Sequence, residues 1–252
     1  IILTGGLGTR LSEETTTRPK PMVEIGSKPM LWHIMKVYAH YGFNEFILAL
    51  GYKADYVKKY FLEYGHYSGN ISVSLKKGEV EISQRDQSEW TIHLEDTGIH
   101  TLTGGRVKIL RDWVENGTFM VTYGDGIANV DLHALLAYHK KMGRLATITA
   151  VRPPARFGGL EMEKGLVKTF TEKPQAGEGW INGGFIVFEP KVLGMILGPD
   201  SSLESELLET LSKQGELAAY CHEGFWQCMD TLRDVKYLEN LWVAGKAPWK
   251  IW

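Results

Sequence analysis

Cysteine is scarce in this chain: Cys221 and Cys228 are the only two among 252 residues. Two cysteines cannot build a disulfide-dense secreted scaffold, and no others stand ready to complete a zinc set. Both are therefore expected as free thiols in a reducing compartment. Long apolar runs are absent as well. No stretch approaches the roughly 18 residues of a membrane span, and no basic region leads into a signal-like segment. This predicts a cytoplasmic protein with no membrane partner. Neither sign of charge dominates, with 28 Lys plus Arg against 30 Asp plus Glu. This balance argues against a broad basic surface for nucleic acid while leaving room for a local basic pocket, and no nucleic-acid partner is expected. Repeats of solenoid length are missing, and the glycines and prolines follow no collagen period. Because the sequence opens on Ile1 rather than Met, residues ahead of it are expected, and the first strand is expected to be cut short.

What is present alternates apolar strand and amphipathic helix. Residues 1–3 read as the end of a buried strand that runs into Thr4-Gly5-Gly6-Leu7-Gly8-Thr9-Arg10. A polar loop then leads to Arg18-Pro19-Lys20-Pro21-Met22. A helix capped by Ser27 is predicted through Leu31, Ile34, Met35 and Tyr38, stopped by Gly42. Residues 46–50 read as strand and 52–64 as helix, so the opening is strand, helix, strand, helix and implies a parallel sheet. Three short strands at 71–75, 80–83 and 90–94, with a turn at Lys77-Gly78, predict an antiparallel insertion over 70–100 that serves as a lid or oligomer surface. Helices are predicted at 105–114, 131–141, 203–213 and 232–243. Strands are predicted at 119–122, 145–151, 160–162, 167–171 and 184–188. No linker divides the chain. One α/β domain over 1–252 is expected, with a first half at 1–150 and a mixed second half at 151–252.

A glycine-rich segment after a first strand points to phosphate, because glycines turn tightly and leave backbone N–H groups uncovered. Two familiar versions do not apply. Counted from Gly6, the dinucleotide fingerprint finds glycine at Gly8 but Leu11 at its sixth position, and no Gly-Lys-Ser/Thr follows for a P-loop. Thr9 adds a hydroxyl, and Arg10 adds a planar fork suited to phosphate oxygens. Asp125 follows an apolar strand, between two glycines, where an open parallel sheet places its ligands. Asp230, with Thr231 and Asp234, opens the last helix and reads equally as a helix cap. Histidines 33, 40, 133 and 139 form no metal set, and Trp242, Trp249 and Trp252 fit packing as well as a ligand role.

Gly5-Gly6-Leu7-Gly8-Thr9-Arg10, followed after nine residues by Lys20-Pro21, resembles the signature of the sugar-1-phosphate nucleotidyltransferases, which make NDP-sugars. Further elements of that family occur in order: Gly124-Asp125-Gly126, Phe157-Gly158, Glu172-Lys173-Pro174, Asn182-Gly183-Gly184 and Asp230. The runs Leu102-Thr103-Gly104-Gly105-Arg106, Pro154-Ala155-Arg156-Phe157-Gly158 and Gly224-Phe225-Trp226-Gln227-Cys228-Met229-Asp230-Thr231 resemble the members that make CDP-glucose from CTP.

The resemblance implies a Rossmann-like mixed α/β sheet of the GT-A-like nucleotide-diphospho-sugar transferase type. The implied reaction is attack of glucose 1-phosphate on the α-phosphorus of CTP, giving CDP-glucose and pyrophosphate with Mg2+ as cofactor. The implied catalytic residues are Lys20, Arg10 and Asp125. The 1–150 half would mainly bind the nucleotide, at Leu3, Gly5, Gly6, Gly8, Thr9, Arg10, Lys20, Arg106 and Asp125, with Arg106 offering its donor fork to cytosine. The 151–252 half would mainly bind the sugar phosphate. Gly158, Glu172, Lys173 and Asn182 would hold the sugar phosphate, and Asp125 with Asp230 would hold the metal. A bacterial homo-oligomer, a hexamer for the cytidylyl-transferring type, is implied, its product feeding dideoxysugar and O-antigen lipopolysaccharide synthesis. Two alternatives stay open: a UTP- or dTTP-dependent enzyme, and a catalytically silent nucleotide-sugar-binding subunit.

Overall fold

The computed structural model describes residues 1–83, 88–153, 159–163, 166–171 and 179–252. Its centre is a seven-stranded mixed sheet built from β1 (Ile2–Leu3), β2 (Glu45–Leu50), β3 (Thr91–Asp96), β4 (Phe119–Tyr123), β5 (Ala146–Val151), β6 (Ile181–Phe188) and β7 (Leu217–His222). The spatial order is β7-β5-β6-β4-β1-β2-β3. β1 lies parallel to both β2 and β4, and β3 is parallel to β2. β6 runs antiparallel between β4 and β5, so a strand of the second half of the chain is inserted between two of the first.

Both faces of the sheet are covered, as the near-continuous apolar strands require. Along β2, Phe46, Leu48 and Leu50 pack into one core with Ile34 and Met35 of α1 (Met30–His40), while Ile47 and Ala49 face a second. That second core holds Val107 of α3 (Thr103–Ile109) together with Leu203, Leu207 and Leu211, α2 being Ala54–Tyr67. The remaining long helices are α4 (Leu132–Met142), capped by Asp131 Oδ1 on the Ala134 N–H at 2.8 Å, and α5 (Leu232–Val243).

Several expectations need correction. The third strand of the supposed insertion is β3, an edge strand of the main sheet; only the hairpin Asn70–Ser74 and Glu79–Ser83 stands apart. β3 is apolar only in part, with alternating polar residues suited to an edge, and that polarity imitates a hairpin strand. Ser27 is not the cap of α1. It adopts φ 63° in the tight turn joining Glu24–Ile25 to Lys28–Pro29, and Pro29 precedes the helix. The helix expected at 105–114 is two, Thr103–Ile109 and Arg111–Val114. That expected at 203–213 opens as a π-helical turn, Leu203–Leu208. Strands Gly126–Ala128, Leu217–His222 and Trp226–Cys228 were not expected: the first and last span three residues each, and the run Leu217-Ala218-Ala219-Tyr220-Cys221-His222 has no clean alternation.

Candidate active site

The site lies at the carboxyl ends of β1 and β4, where neighbouring strands leave in different directions and an open sheet has its crevice. Thr4 directly follows β1 and ties it to β2, its hydroxyl donating to the Ala49 carbonyl at 2.9 Å. The chain then turns through the glycines. A Cβ on Gly5 would stand 2.1 Å from a terminal nitrogen of Arg106, so only glycine fits there. Gly8 has φ +65°, and its carbonyl accepts from Leu11 N–H at 3.0 Å and the Thr15 hydroxyl at 3.2 Å. Thr9 begins the short turn Thr9–Leu11. The side chain of Arg10 lies outside the described set.

Lys20 opens the turn Lys20–Met22, entered from an extended Pro19. Its ammonium donates to Asp125 Oδ2 at 2.6 Å and to Asp230 Oδ1 at 2.5 Å. Two strands bring these distant carboxylates together: Gly126–Ala128, directly after Asp125, pairs antiparallel with Trp226–Cys228, directly before Met229-Asp230. The Met229 N–H also donates to the Asp125 carbonyl at 2.8 Å. The helix-cap role falls to other residues. Thr231 and Asp234 form a capping box on α5, which leaves the Asp230 carboxylate on Lys20. Burial by itself lowers the pKa of Lys20, but the charges and hydrogen bonds of Asp125 and Asp230 outweigh it and hold the lysine above its usual range. Cys228 Sγ lies 3.4 Å from Asp230 Oδ2, and burial with the neighbouring aspartates pushes its pKa up to about 12. It is thus a protonated donor rather than a thiolate. Cys221 is a free exposed thiol.

A cavity of about 490 Å³ opens beside the lysine, bounded by the glycine loop, Pro21, the 99–103 segment, Arg106 and the Tyr123–Asp125 strand end. Arg106 is only 4% exposed. One terminal nitrogen donates to the Leu50 carbonyl at 2.9 Å and the Thr97 hydroxyl at 2.6 Å; the other donates to the carbonyls of Gly5 at 3.1 Å and Ile99 at 3.4 Å. The fork expected to face a base therefore also braces the loop that would hold it. Leu3, Gly5, Gly6, Gly8, Thr9, Lys20 and Asp125 border the same cavity. Asn182, at the start of β6, accepts the Gly184 N–H at 2.9 Å. Gly158, Glu172 and Lys173 lie outside the described residues. Tyr123 and the 99–101 segment border the cavity without having been expected there; the apolar strand preceding Asp125 was the available signal for Tyr123.

The donor set suits a hard divalent cation. Asp125 and Asp230 already converge on one positive group, and carboxylate oxygens are what Mg2+ selects. Among the described residues no cluster of three or more His, Cys, Asp or Glu is placed to hold a metal, so the remaining ligands would be phosphates and water.

The family described as Nucleotidyl transferase matches residues 1–239, and the chain belongs to it. A glucose-1-phosphate cytidylyltransferase of Salmonella typhi is 48% identical over 253 residues, spanning 100% of this chain and 98% of that protein. A mannose-1-phosphate guanyltransferase of Saccharomyces cerevisiae is 31% identical over 268 residues, covering 100% of this chain and 67% of the relative. The crystal structure of HddC from Yersinia pseudotuberculosis superposes with a TM-score of 0.68 at 25% identity, over 96% of this chain and 97% of that one.

Proposed function

We propose that the protein transfers the cytidylyl group of CTP to α-D-glucose 1-phosphate, giving CDP-glucose and pyrophosphate. The observation that carries this reading is the ammonium of Lys20 set between Asp125 and Asp230 at the mouth of a glycine-loop cavity. The near full-length similarity to the Salmonella enzyme supports the choice of CTP and glucose 1-phosphate.

In the reaction a phosphate oxygen of glucose 1-phosphate attacks the α-phosphorus. The new P–O bond forms as the bond to the β-phosphate oxygen breaks, and pyrophosphate leaves with that electron pair. The nucleophile is already ionised, so the site needs no base; its task is to align two anions and neutralise their charge. Lys20 holds the α-phosphate. The backbone N–H groups of the Gly5–Gly8 turn, with Thr9 and Arg10, take the leaving pyrophosphate. The backbone at Leu3, Gly5 and Gly6 faces base and ribose, with Arg106 at the same end. Gly158, Glu172, Lys173 and Asn182 bind the sugar phosphate. Asp125 and Asp230 hold Mg2+, which supplies further charge neutralisation at the phosphates.

We assign the protein to the bacterial cytoplasm; among the described residues no helix is long and apolar enough to cross a membrane. The hexamer rests on the family resemblance alone, while self-association is supported by the isolated hairpin. Its paired Val73 and Val80 are 58% and 63% exposed, and two free-standing strands hold poorly without a covering surface. Pyrophosphate release with glucose 1-phosphate and Mg2+, run in parallel on CTP, UTP, dTTP, ATP and GTP, tests the reading. A marked preference for CTP is expected. Preferred UTP or dTTP turnover would overturn the base assignment, and no release with any nucleotide would overturn the reaction.

A further inference from the structure

Glu204 lies on no motif that points to chemistry, yet two walls of the site meet at its carboxylate. It sits in the π-helical turn Leu203–Leu208, a rare conformation that is frequent at functional positions. One carboxylate oxygen accepts the Tyr123 hydroxyl; the other accepts the Thr103 hydroxyl at 2.7 Å and the Ser202 hydroxyl at 2.8 Å.

The two arms lead to different walls of the cavity. Tyr123 is the last residue of β4, immediately before Gly124-Asp125. Its ring packs on the backbone of β6 so closely that a Cβ on Gly184, where φ is +81°, would stand 2.5 Å from it. The N–H of that same Gly184 donates to Asn182 Oδ1 at 2.9 Å, which links the Tyr123 ring to Asn182 through the backbone of β6. Thr103 is the first residue of α3, the helix that carries Arg106 one turn further on. That helix rests on the segment before Glu204: Gly105 N–H donates to the Ser201 carbonyl at 3.0 Å, and a Cβ on Gly105 would meet the Pro199 carbonyl oxygen at 2.2 Å. Thr103 Oγ1 also accepts the Leu203 N–H at 2.9 Å.

We propose that Glu204 is a positioning residue for the transfer reaction, holding the sugar-phosphate end through Tyr123 and the nucleotide end through Thr103. It acts on substrates through these two side chains and not by contact. The proposal rests on the assignment of Asn182 to the sugar phosphate and of Arg106 to the nucleotide. Burial first, and then the charge of Glu204, raise the Tyr123 pKa, so the phenol keeps its proton and remains a donor to the carboxylate.

The geometry demands a split that a merely stabilising residue would not give. Tyr123→Phe, which deletes only the hydroxyl, should raise KM for glucose 1-phosphate about fivefold and leave the nucleotide KM within about twofold, the scale of one hydrogen bond. Thr103→Val should do the reverse. Glu204→Ala should raise both by about tenfold, and Glu204→Gln, which keeps the shape and one acceptor, should recover part of each. The KM values are read with whichever nucleotide the wild type turns over best. Calorimetric titration of nucleotide and of glucose 1-phosphate follows the same split independently of turnover, so wild-type preference for a base other than CTP would overturn the proposed function and leave this test intact. The two conservative variants also serve should Glu204→Ala not fold. Parallel changes in both affinities for Tyr123→Phe and Thr103→Val, or a lowered Tm for Glu204→Ala with both affinities unchanged, would overturn the proposal.

Discussion

Lys20 Nζ lies 2.5 Å from Asp230 Oδ1, a contact between residues 210 apart in the chain, and 2.6 Å from Asp125 Oδ2. The lysine side chain is 8% exposed and that of Asp230 10%, so neither charge is well served by water. Removing one member of such a pair leaves the other buried and uncompensated, at a cost of about 3–5 kcal/mol. Lys20 and a divalent cation draw on the same two carboxylates. In Lys20→Met the aspartates face each other without a counter-charge, and Mg2+ or Mn2+ becomes the cation able to supply it. Differential scanning fluorimetry should therefore show a lower Tm for the metal-free variant and a larger rise on adding Mn2+ than in the wild type. Equal rises in the two proteins would sink the idea that the lysine and the cation share a site. Turnover of the variant should fall by at least about a hundredfold, because the α-phosphate loses its fixed positive partner.

Arg106 makes its second prediction through the glycine loop. Four protein acceptors engage its two terminal nitrogens, and one of them is the carbonyl of Gly5. Lysine keeps the charge but has no planar fork and cannot reach all four. Arg106→Lys is expected to raise KM for CTP and for UTP alike by about tenfold, roughly the worth of one lost charged hydrogen bond. Gly5→Ala should behave similarly, since its methyl group would occupy the space of the guanidinium. A change confined to the CTP-to-UTP ratio in steady-state kinetics would instead give Arg106 to the base itself.

These residues also mark what can be read from sequence. The glycine loop and Asp125 are legible because each follows a strand, and Lys20 because it stands between two prolines; in all three the backbone needs are local. The partnership of Asp125 with Asp230 is not local. It depends on two three-residue strands, Gly126–Ala128 and Trp226–Cys228, too short to carry a period. Arg106 announces a donor fork, but three of its four acceptors are backbone carbonyls, at Leu50, Gly5 and Ile99, and any residue would supply those. β3 was placed in the wrong layer for a related reason: its polar alternation suits a sheet edge as well as a hairpin. Glu204 was invisible, since an acidic residue in a helical run is ordinarily a solvated one.

The last prediction concerns stability and its dependence on pH. His33 is fully buried in α1 and surrounded by Trp242, Trp249 and Trp252. Its Nε2 lies 2.8 Å from the Ile25 carbonyl, an acceptor only, while Nδ1 accepts the Trp249 indole N–H at 3.4 Å. This pairing assigns the neutral Nε2–H tautomer and leaves no place for a second proton. Burial first, and then the charges of Lys250 and Lys28, lower the pKa from 6.5 to about 4 against the opposing pull of the backbone hydrogen bonds. The unfolded chain then binds a proton that the folded chain refuses between pH 6.5 and about 4, so stability from this residue is complete above that window and is lost as pH falls through it. The loss amounts to about 3 kcal/mol across the window. Urea unfolding at pH 7.5, 5.5 and 4.5 should show that decline in the wild type, and His33→Gln, which does not titrate, should start less stable and show a shallower decline. Identical slopes in the two proteins would place the acid sensitivity elsewhere.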